Sequence, residues 1–239
     1  MVHELARLSG GGSVGAQTFE SDVFATAKGD LRITFLGHGS LMLEWDGKVV
    51  HVDPYSRVAD YDSLPKADLV LITHEHADHL DVLAVSAVRK KSTQIVMTEL
   101  CRSSIEDGII MRNGDVTVVQ GVPMEAVPAY NLLHRRETGD PFHPCGQGNG
   151  YVVGLGGVRV YIAGDSENTP EMMALEDIDI AFLPMNLPYT MTPEMVAEAA
   201  RAIRPEVLYP YHYGKTDTDQ LLHLLTDVPE VEVRVRRMA

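Results

Sequence analysis

The chain has 239 residues, of which 45% are hydrophobic and 23% are charged, a balance typical of a globular protein and not of a disordered or fibrous one. Its formal net charge of −14 disfavours nucleic acid as a partner, because a phosphate backbone binds to basic surfaces. No apolar run is long enough to cross a bilayer, so a membrane span is not expected.

The N-terminal residues predict a flexible leader. Gly10-Gly11-Gly12-Ser13 is typical of an unstructured stretch, so we assign residues 1–30 to a leader and residues 31–239 to a single domain. The leader lacks the apolar core of a secretory signal. Two cysteines, Cys101 and Cys145, cannot form a disulfide framework and fit a reducing compartment. These features together predict a cytoplasmic protein.

Short apolar strands dominate the next part of the chain. Asp46-Gly47 predicts a tight hairpin between two of them, and the continuous apolar run of residues 67–74 predicts a strand buried on both faces. A helix is predicted over residues 80–91, with basic residues at its C-terminal end. The segments concerned are the strands LRITFLG, SLMLEW, KVVHVDP, ADLVLITH, TQIVMT, DVTVVQG and MEAVPAY, the helix LDVLAVSAVRKK, and a short helix over residues 100–106.

The second half of the chain has a similar order of predicted strands and helices. Gly156-Gly157 predicts a hairpin between GYVVGLGG and VRVYIAGD, and DIAFLPM is another candidate for a buried strand. Thr192 is expected to cap a helix whose first position is Pro193. An extended run EVLYPYHYG, a helix DTDQLLHLLTDV and an alternating strand EVEVRVR follow. Runs of strands with helices grouped around them favour an α/β domain of two sheets covered by helices.

A cluster of metal-ligating residue types follows the first buried strand. His74, His76, Asp78 and His79 lie where the predicted strand ends and a helix begins. Two histidines two residues apart point to the same side of an extended backbone, and the aspartate and third histidine fall in the turn that follows. Imidazole together with carboxylate is the ligand set of zinc, iron or manganese. The segment therefore predicts a metal site, in preference to a solvated polar loop.

This segment resembles the H-x-H-x-D-H signature of the metallo-β-lactamase superfamily, and further segments follow in that family's order. Residues 36–40 (LGHGS) and 52–54 (VDP) resemble the opening strands of the lactonase-like branch, which includes ascorbate-6-phosphate lactonase and N-acyl-phosphatidylethanolamine phospholipase D. Residues 163–165 (AGD) and 211–213 (YHY) are similar to strand ends that supply an aspartate and a late histidine. The resemblance implies an αββα sandwich of two mixed sheets flanked by helices, with the site at one edge.

The resemblance also implies a role for each ligand. Two divalent transition metals would be the cofactors, with zinc favoured and manganese, iron or nickel as alternatives. They would hold a hydroxide that attacks the substrate, and Asp78 would be the catalytic residue that takes part in proton movement. The implied ligands are His74 and His76 for the first metal, Asp78, His79 and His212 for the second, and Asp165 as the bridge between them.

The third ligand of the first metal is where this chain departs from the family pattern. Relatives often place a histidine after a Pro-Ala-aromatic stretch, where this chain has Asn131. His134, His143 and Cys145 are the nearby candidates. We favour His143, because the prolines on both sides restrict its backbone and a glycine-rich turn follows. His134 lies beside two arginines whose charge opposes a bound cation.

Other side chains are candidates for contacts with ligands or substrate. Asp53 could accept a hydrogen bond from a ligand histidine or simply end its strand at a turn. His38 faces the site or packs in the first sheet, and Asn131 contacts substrate or a ligand histidine. Tyr189 lies in a loop that borders the substrate in related proteins. Four basic residues in loops favour a phosphate or carboxylate on the substrate: Arg57, Arg135, Arg136 and Lys215.

The function that we predict is metal-dependent hydrolysis of an ester, lactone or phosphodiester in a small, anionic molecule. The alternative is a non-catalytic module on the same scaffold that binds a metal or a partner. Di-iron redox enzymes carry a carboxylate where this chain has His76, and nucleases of this fold insert a further domain. The partner predicted is a small-molecule substrate and not nucleic acid, and a homo-oligomer stays open because related proteins often self-associate.

Overall fold

Two seven-stranded sheets form the centre of the molecule. The computed structural model describes residues 17–239, and the N-terminal part of the predicted leader lies outside them. In each sheet the first four strands pair antiparallel and the later ones join in parallel. The first sheet contains β1 (Glu20–Thr26), β2 (Gly29–Gly37), β3 (Ser40–Trp45), β4 (Lys48–Val52), β5 (Leu69–Leu71), β6 (Gln94–Met97) and β7 (Ile109–Ile110), in that order.

The second sheet is built in the same way from the second half of the chain. Its strands lie side by side in chain order, and four α-helices and one 3-10 helix complete the described part. The strands are β8 (Val116–Val119), β9 (Val122–Ala129), β10 (Gly148–Leu155), β11 (Val158–Ile162), β12 (Ile180–Pro184), β13 (Val207–Tyr211) and β14 (Glu232–Val233). The helices are α1 (Val82–Val88), the 3-10 helix (Glu99–Ser103), α2 (Pro170–Met173), α3 (Pro193–Ile203) and α4 (Thr218–Leu224).

Burial divides the molecule into four layers. Alternate residues of β2, namely Leu31, Ile33 and Phe35, pack between the sheets, as the period of two in a strand requires. In β5, Leu69 and Leu71 face the same central core, whereas Val70 packs outward under α1. Helices α3 and α4 cover the outer face of the second sheet. These layers confirm the predicted αββα sandwich.

Several predicted elements have different bounds in the structure. Residues 20–26, assigned to the leader, form β1 and pair with β2, so the boundary at residue 30 is wrong. Helix α1 ends at Val88, and two of the basic residues after it, Arg89 and Lys90, pair instead with Asp107 and Asp68. The short helix near residue 100 is a 3-10 helix. The last strand covers Glu232–Val233 only.

Strand β1 is fixed to the C-terminus by an ion-pair network. The carboxylate of Asp22 accepts hydrogen bonds from the Arg236 guanidinium at 2.7 and 2.9 Å and from the Tyr209 hydroxyl. Burial alone raises the pKa of Asp22, but the contacts with Tyr209 and Arg236 outweigh burial and lower it below its usual value. The first and last described segments of the chain are thereby joined across the sandwich.

We predict that Asp22→Asn lowers the free energy of unfolding by about 1–3 kcal/mol, because a neutral amide loses charge-assisted hydrogen bonds. Because the folded pKa is lowered, this stabilisation is complete above the ordinary carboxyl pKa of 3.8 and is lost as the pH falls through the folded pKa. Urea denaturation at neutral and acidic pH measures both effects. Asp30→Asn, at an exposed position of the same hairpin, is the matched control. Equal stability of the two variants at neutral pH would contradict the prediction.

Candidate metal centre

Four of the side chains singled out in the sequence lie at one edge of the sandwich. Each follows the C-terminal end of a strand: Asp53 after β4, His74 after β5, Asp165 after β11 and His212 after β13. Because β4 and β5 are parallel neighbours, as are β11, β12 and β13, their carboxyl ends meet at the same edge. This is the usual place for a site in an α/β sheet.

The potential ligand atoms at this edge fall into two groups, and a third group, His74, His79 and Asp165, connects them. Those of His74, His76 and His143 lie within 4.8 Å of one another, and so do those of His38, Asp78, His79 and His212. Each group combines residues from both halves of the chain. The edge therefore has a cluster of His and Asp side chains that could hold metal ions.

Asp165 lies between the two groups. Its Oδ1 is 3.3 Å from Nε2 of His79 and 3.5 Å from Nε2 of His212, and its Oδ2 is 3.3 Å from Nε2 of His143. Burial alone raises the pKa of Asp165, but His212, His79 and His143 outweigh burial and hold it well below the usual value. One ionised carboxylate thus presents an oxygen to each group.

Four of the histidines are oriented through Nδ1. Nδ1 of His79 lies 2.8 Å from Oδ2 of Asp53, and Nδ1 of His143 lies 3.0 Å from Oδ1 of Asn131. That of His74 lies 3.0 Å from the hydroxyl oxygen of Thr73, which itself donates to Asp53. The fourth contact joins Nδ1 of His212 to the side-chain amide of Asn186 at 3.3 Å. In each ring Nε2 is left to face the site, as a metal ligand requires.

Buried polar atoms without partners test whether this edge fits a metal. Among the described residues, Nε2 of His74, His79 and His212 and Oδ1 of Asp165 are buried and have no hydrogen-bond partner. An unpaired buried polar atom costs about 1–3 kcal/mol, and four at one place are rare in native proteins. Burial, aided by His79, lowers the pKa of His74 well below its usual value, so that its imidazole is neutral and free to ligate. The residues present fit a metal.

The backbone is unusual at three of these residues. His38, Asp53 and His212 have φ of 54°, 42° and 46°, in the left-handed region that non-glycine residues rarely adopt. Such conformations cost about 1–3 kcal/mol each and cluster at functional sites. Close packing adds a further constraint, because a Cβ at Gly39 would lie 3.0 Å from Cε1 of His79.

The remaining predicted residues lie around this edge. Nε2 of His38 is 3.0 Å from Oδ2 of Asp78, and its ring is 3.7 Å from that of His212. Tyr189 is exposed, and its carbonyl oxygen accepts a hydrogen bond from the Asn131 side-chain amide at 2.9 Å. His134 lies apart from both groups, with Nδ1 at 2.7 Å from Oε1 of Glu167, and Cys145 is exposed and outside both groups.

Sequence reasoning missed Glu167 and Asn186. The fully buried Glu167 carboxylate accepts hydrogen bonds at 2.7 Å from the backbone N–H groups of residues 132–134 and at 3.0 Å from the Asn131 amide. It therefore fixes the turn that carries Asn131, the partner of His143. Glu167 follows Asp165 by two residues, and Asn186 lies two residues after the end of β12. Polar residues after buried strands were the signal that could have found both.

A cleft of about 480 Å³ opens onto both groups. A larger hollow of about 580 Å³ lies at the opposite edge, beside the β1–β2 and β10–β11 turns, but no group of potential ligands in the described residues lies there. The smaller cleft is therefore the one that adjoins the candidate metal centre. It is lined by His76, Ala77, Asp78, Arg136, Phe142, His143, Asp165, Asn186, Tyr189 and His212.

Comparison with known proteins agrees with this geometry. Residues 32–212 match the model of the β-lactamase superfamily domain. A UPF0173 metal-dependent hydrolase of Methanopyrus kandleri is 32% identical over 195 residues, 77% of this chain and 84% of that protein. The chain belongs to the UPF0173 metal-dependent hydrolase family of the metallo-β-lactamase superfamily.

Two solved structures extend the comparison. A Parabacteroides distasonis protein, whose crystal structure is described as that of a metal-dependent hydrolase, is 48% identical. It superposes with a TM-score of 0.88 over 93% of this chain and 100% of its own. Igni18, a metallo hydrolase of Ignicoccus hospitalis, shares the fold with a TM-score of 0.72 at 24% identity, over 87% of this chain and 96% of its own.

We predict that His143→Ala lowers the metal content of the purified protein by about one equivalent, whereas His134→Ala leaves it unchanged. The reason is that His143 lies with His74 and His76, whereas His134 is held by Glu167. Elemental analysis of both variants beside the wild type measures this. Loss of metal only in the His134 variant would reverse the assignment, and loss in neither would leave the first metal without its third ligand.

Metal binding should also release protons. Burial alone lowers the pKa of His79, but the carboxylates of Asp165 and Asp53 outweigh burial and raise it to about 9. Below that pH a metal must displace a proton, so we expect affinity to rise with pH between about 6 and 8. Calorimetry in buffers of different ionisation enthalpy counts the protons. The Asp53→Asn variant should release fewer protons on metal binding and bind metal about 10–100-fold more weakly. The control variant His223→Ala should behave as the wild type does. Equal proton release in both variants would contradict the assignment.

Proposed function

We propose that the chain hydrolyses an ester, lactone or phosphodiester bond in a small molecule, with two divalent transition metals as cofactors and zinc as the favoured metal. The observation that carries the proposal is that four buried atoms without hydrogen-bond partners, Nε2 of three histidines and Oδ1 of Asp165, belong to the groups of potential ligands at this edge. A hydrogen-bonded polar core would not leave them unpaired. The names of the UPF0173 relatives as metal-dependent hydrolases support the reaction class.

Two sets of residues would hold the two metals. His74, His76 and His143 would hold one metal, and Asp78, His79 and His212 the other, with Asp165 shared. Such a pair of cations supplies Lewis acidity and lowers the pKa of water. The number of nitrogen and carboxylate donors exceeds what a single tetrahedral zinc can use, which supports two positions over one.

Asp78 is the residue that we propose for proton movement. Its side chain is 37% exposed and lines the cleft, so that an attacking water could donate a hydrogen bond to it. Its Oδ2 lies 3.0 Å from Nε2 of His38, which gives a proton a route away from the reacting atoms. His38 would then act behind Asp78 and not as a direct contact of the substrate.

The proposed substrate class rests on residues 36–40 and 52–54, which resemble the opening strands of the lactonase-like branch. Lactones would therefore be the first substrates to test, ahead of phosphodiesters. No helix in residues 17–239 is long and apolar enough to span a membrane. The cytoplasmic location, the lack of a nucleic-acid partner and the open question of a homo-oligomer stay predictions from the sequence.

We predict that active protein contains two metal equivalents and that a chelator removes its activity, which zinc or manganese restores. Asp165→Asn should lower turnover by about a hundredfold or more and weaken metal binding without unfolding the chain, because a neutral amide cannot neutralise two cations. Turnover of lactone, ester and phosphodiester panels, with metal analysis and circular dichroism, checks this against the control His223→Ala.

Three results would contradict parts of this proposal. One metal equivalent or fewer in fully active protein would exclude the two-metal centre. Near-normal metal content and turnover in the Asp165 variant would exclude the bridging role. Two bound metals without hydrolysis of any substrate class would favour the alternative of a non-catalytic binding module.

A further inference from the structure

Among the described residues, Arg136 is the one lysine or arginine that lines the cleft beside the candidate metal centre, called here the metal-facing cleft. A small hairpin holds it: Arg135 and Pro141 form an isolated bridge, and the backbone N–H of Arg136 donates to the carbonyl oxygen of Asp140 at 2.8 Å. Of the other basic candidates, Arg57 lines a separate hollow beside Gln17 and Asp60. The structure therefore separates Arg136 from the remaining basic residues.

Aromatic contacts fix the Arg136 guanidinium next to the proposed ligands. Its central carbon lies 5.1 Å from the centre of the Phe142 ring, and its Nη2 donates to the carbonyl oxygen of Phe142 at 3.3 Å. The Phe142 ring meets Tyr189 edge-on, with ring centres 5.0 Å apart. Because Phe142 directly precedes His143, the guanidinium is anchored one residue from a proposed metal ligand.

The guanidinium has no carboxylate partner. Nowhere in residues 17–239 does a carboxylate oxygen lie within 4.0 Å of Arg136, although other arginines pair, such as Arg201 with Asp227 at 2.9 Å. Asp140 on the same hairpin accepts instead from the Thr138 hydroxyl at 2.9 Å. A guanidinium offers five N–H donors, so most of those of Arg136 remain free in a chain of net charge −14.

We propose that Arg136 binds an oxyanion, carboxylate or phosphate, that the substrate carries outside the bond being cleaved. This inference rests on the proposed function, because it places the cleaved bond at the metals and the anion on the other side of Phe142. The planar guanidinium matches an oxyanion with two parallel hydrogen bonds. The Phe142 and Tyr189 rings would pack against the apolar part of the substrate between the two ends.

A matched set of metal-binding probes tests the proposal without requiring turnover. The monohydroxamates of succinic, adipic and suberic acid each have a metal-binding end and a remote carboxylate, and butano-, hexano- and octanohydroxamic acid are their methyl-terminated counterparts. Calorimetry would measure the affinity of each for the zinc-loaded full chain and for Arg136→Met and Arg135→Met. Methionine keeps an apolar side chain over Phe142. Arg135 and Arg136 are both exposed on the same hairpin, but only Arg136 lines the cleft.

For the wild type we expect, at one or more chain lengths, about tenfold or tighter binding of the carboxylate-bearing probe, the usual strength of charge-assisted hydrogen bonds. Arg136→Met should reduce the preference to about twofold or less and leave the methyl-terminated probes unchanged, whereas Arg135→Met should keep it. With p-nitrophenyl butyrate and mono-p-nitrophenyl succinate, the Arg136 variant should raise KM for the succinate ester alone, because the contact is made before and during reaction.

The outcomes separate the inference from the proposed function. Equal binding of both probe types to the wild type at every length, or a preference that survives in Arg136→Met, would overturn the inference and leave the metal centre intact. A preference lost equally in Arg135→Met would overturn it too, because the effect would then come from general surface charge. Failure of every hydroxamate to bind the zinc-loaded chain would contradict the metal centre and the inference together.

To separate the two sources of the anion, phosphonate-terminated hydroxamates of the same lengths are compared with the carboxylates. Tighter binding of the phosphonates that is lost in Arg136→Met assigns the site to a phosphorylated substrate, and the reverse order assigns it to a carboxylic acid. Either order supports the oxyanion site. Neither preference in the wild type would overturn it.

Discussion

The carboxylate of Asp53 has no exposed surface, and it accepts hydrogen bonds from the backbone N–H and the hydroxyl of Thr73 and from Nδ1 of His79 at 2.8, 2.6 and 2.8 Å. A buried charge is costly unless its lone pairs are used in this way. Because Asp53 follows β4 and Thr73 follows β5, these contacts join the ends of two parallel strands. They also decide which nitrogen of His79 faces the site. The orientation of the ligands thus depends on a charge that is not itself placed to hold a metal.

Neither half of the described chain contains a complete group of potential ligands. The loop after β5 supplies His74, His76, Asp78 and His79, whereas His143, Asp165 and His212 come from the second sheet. Both groups therefore form only when the two sheets pack through their shared core. The left-handed backbone of His38, Asp53 and His212 has to be stabilised by that packing. A metal that binds only the packed form would stabilise the sandwich by mass action, so that binding and folding are linked at this edge.

The sequence predicts the buried strands and the H-x-H-x-D-H segment better than it predicts the first strand and the residues that support the site, and the reasons are physical. The buried strands β2 to β5 have strong apolar patterns, and the H-x-H-x-D-H segment carries its chemistry in six adjacent residues. Strand β1 was missed because its alternate residues are only half-buried, and because Asp22 pairs with Arg236, 214 positions away. Glu167 and Asn186 act by holding other residues, and the signal for them in the sequence is only their position as polar residues after buried strands. The choice of His143 over His134 used proline stiffness, but what separates the two in space is the Glu167 carboxylate that occupies His134.

An acidic chain that acts on an anion needs a local reversal of charge, and the geometry of the cleft offers two sources. Two divalent cations would carry more positive charge than the carboxylates of Asp53, Asp78 and Asp165 carry negative charge, so the centre would attract an anion only when loaded. Arg136 is independent of that loading, because its position depends on Phe142 and on the hairpin. The overall negative charge is screened over about 8–10 Å at physiological ionic strength, whereas these two sources act at contact distance. On the proposed function, anion recognition would therefore be confined to the cleft, in a chain whose net charge is −14.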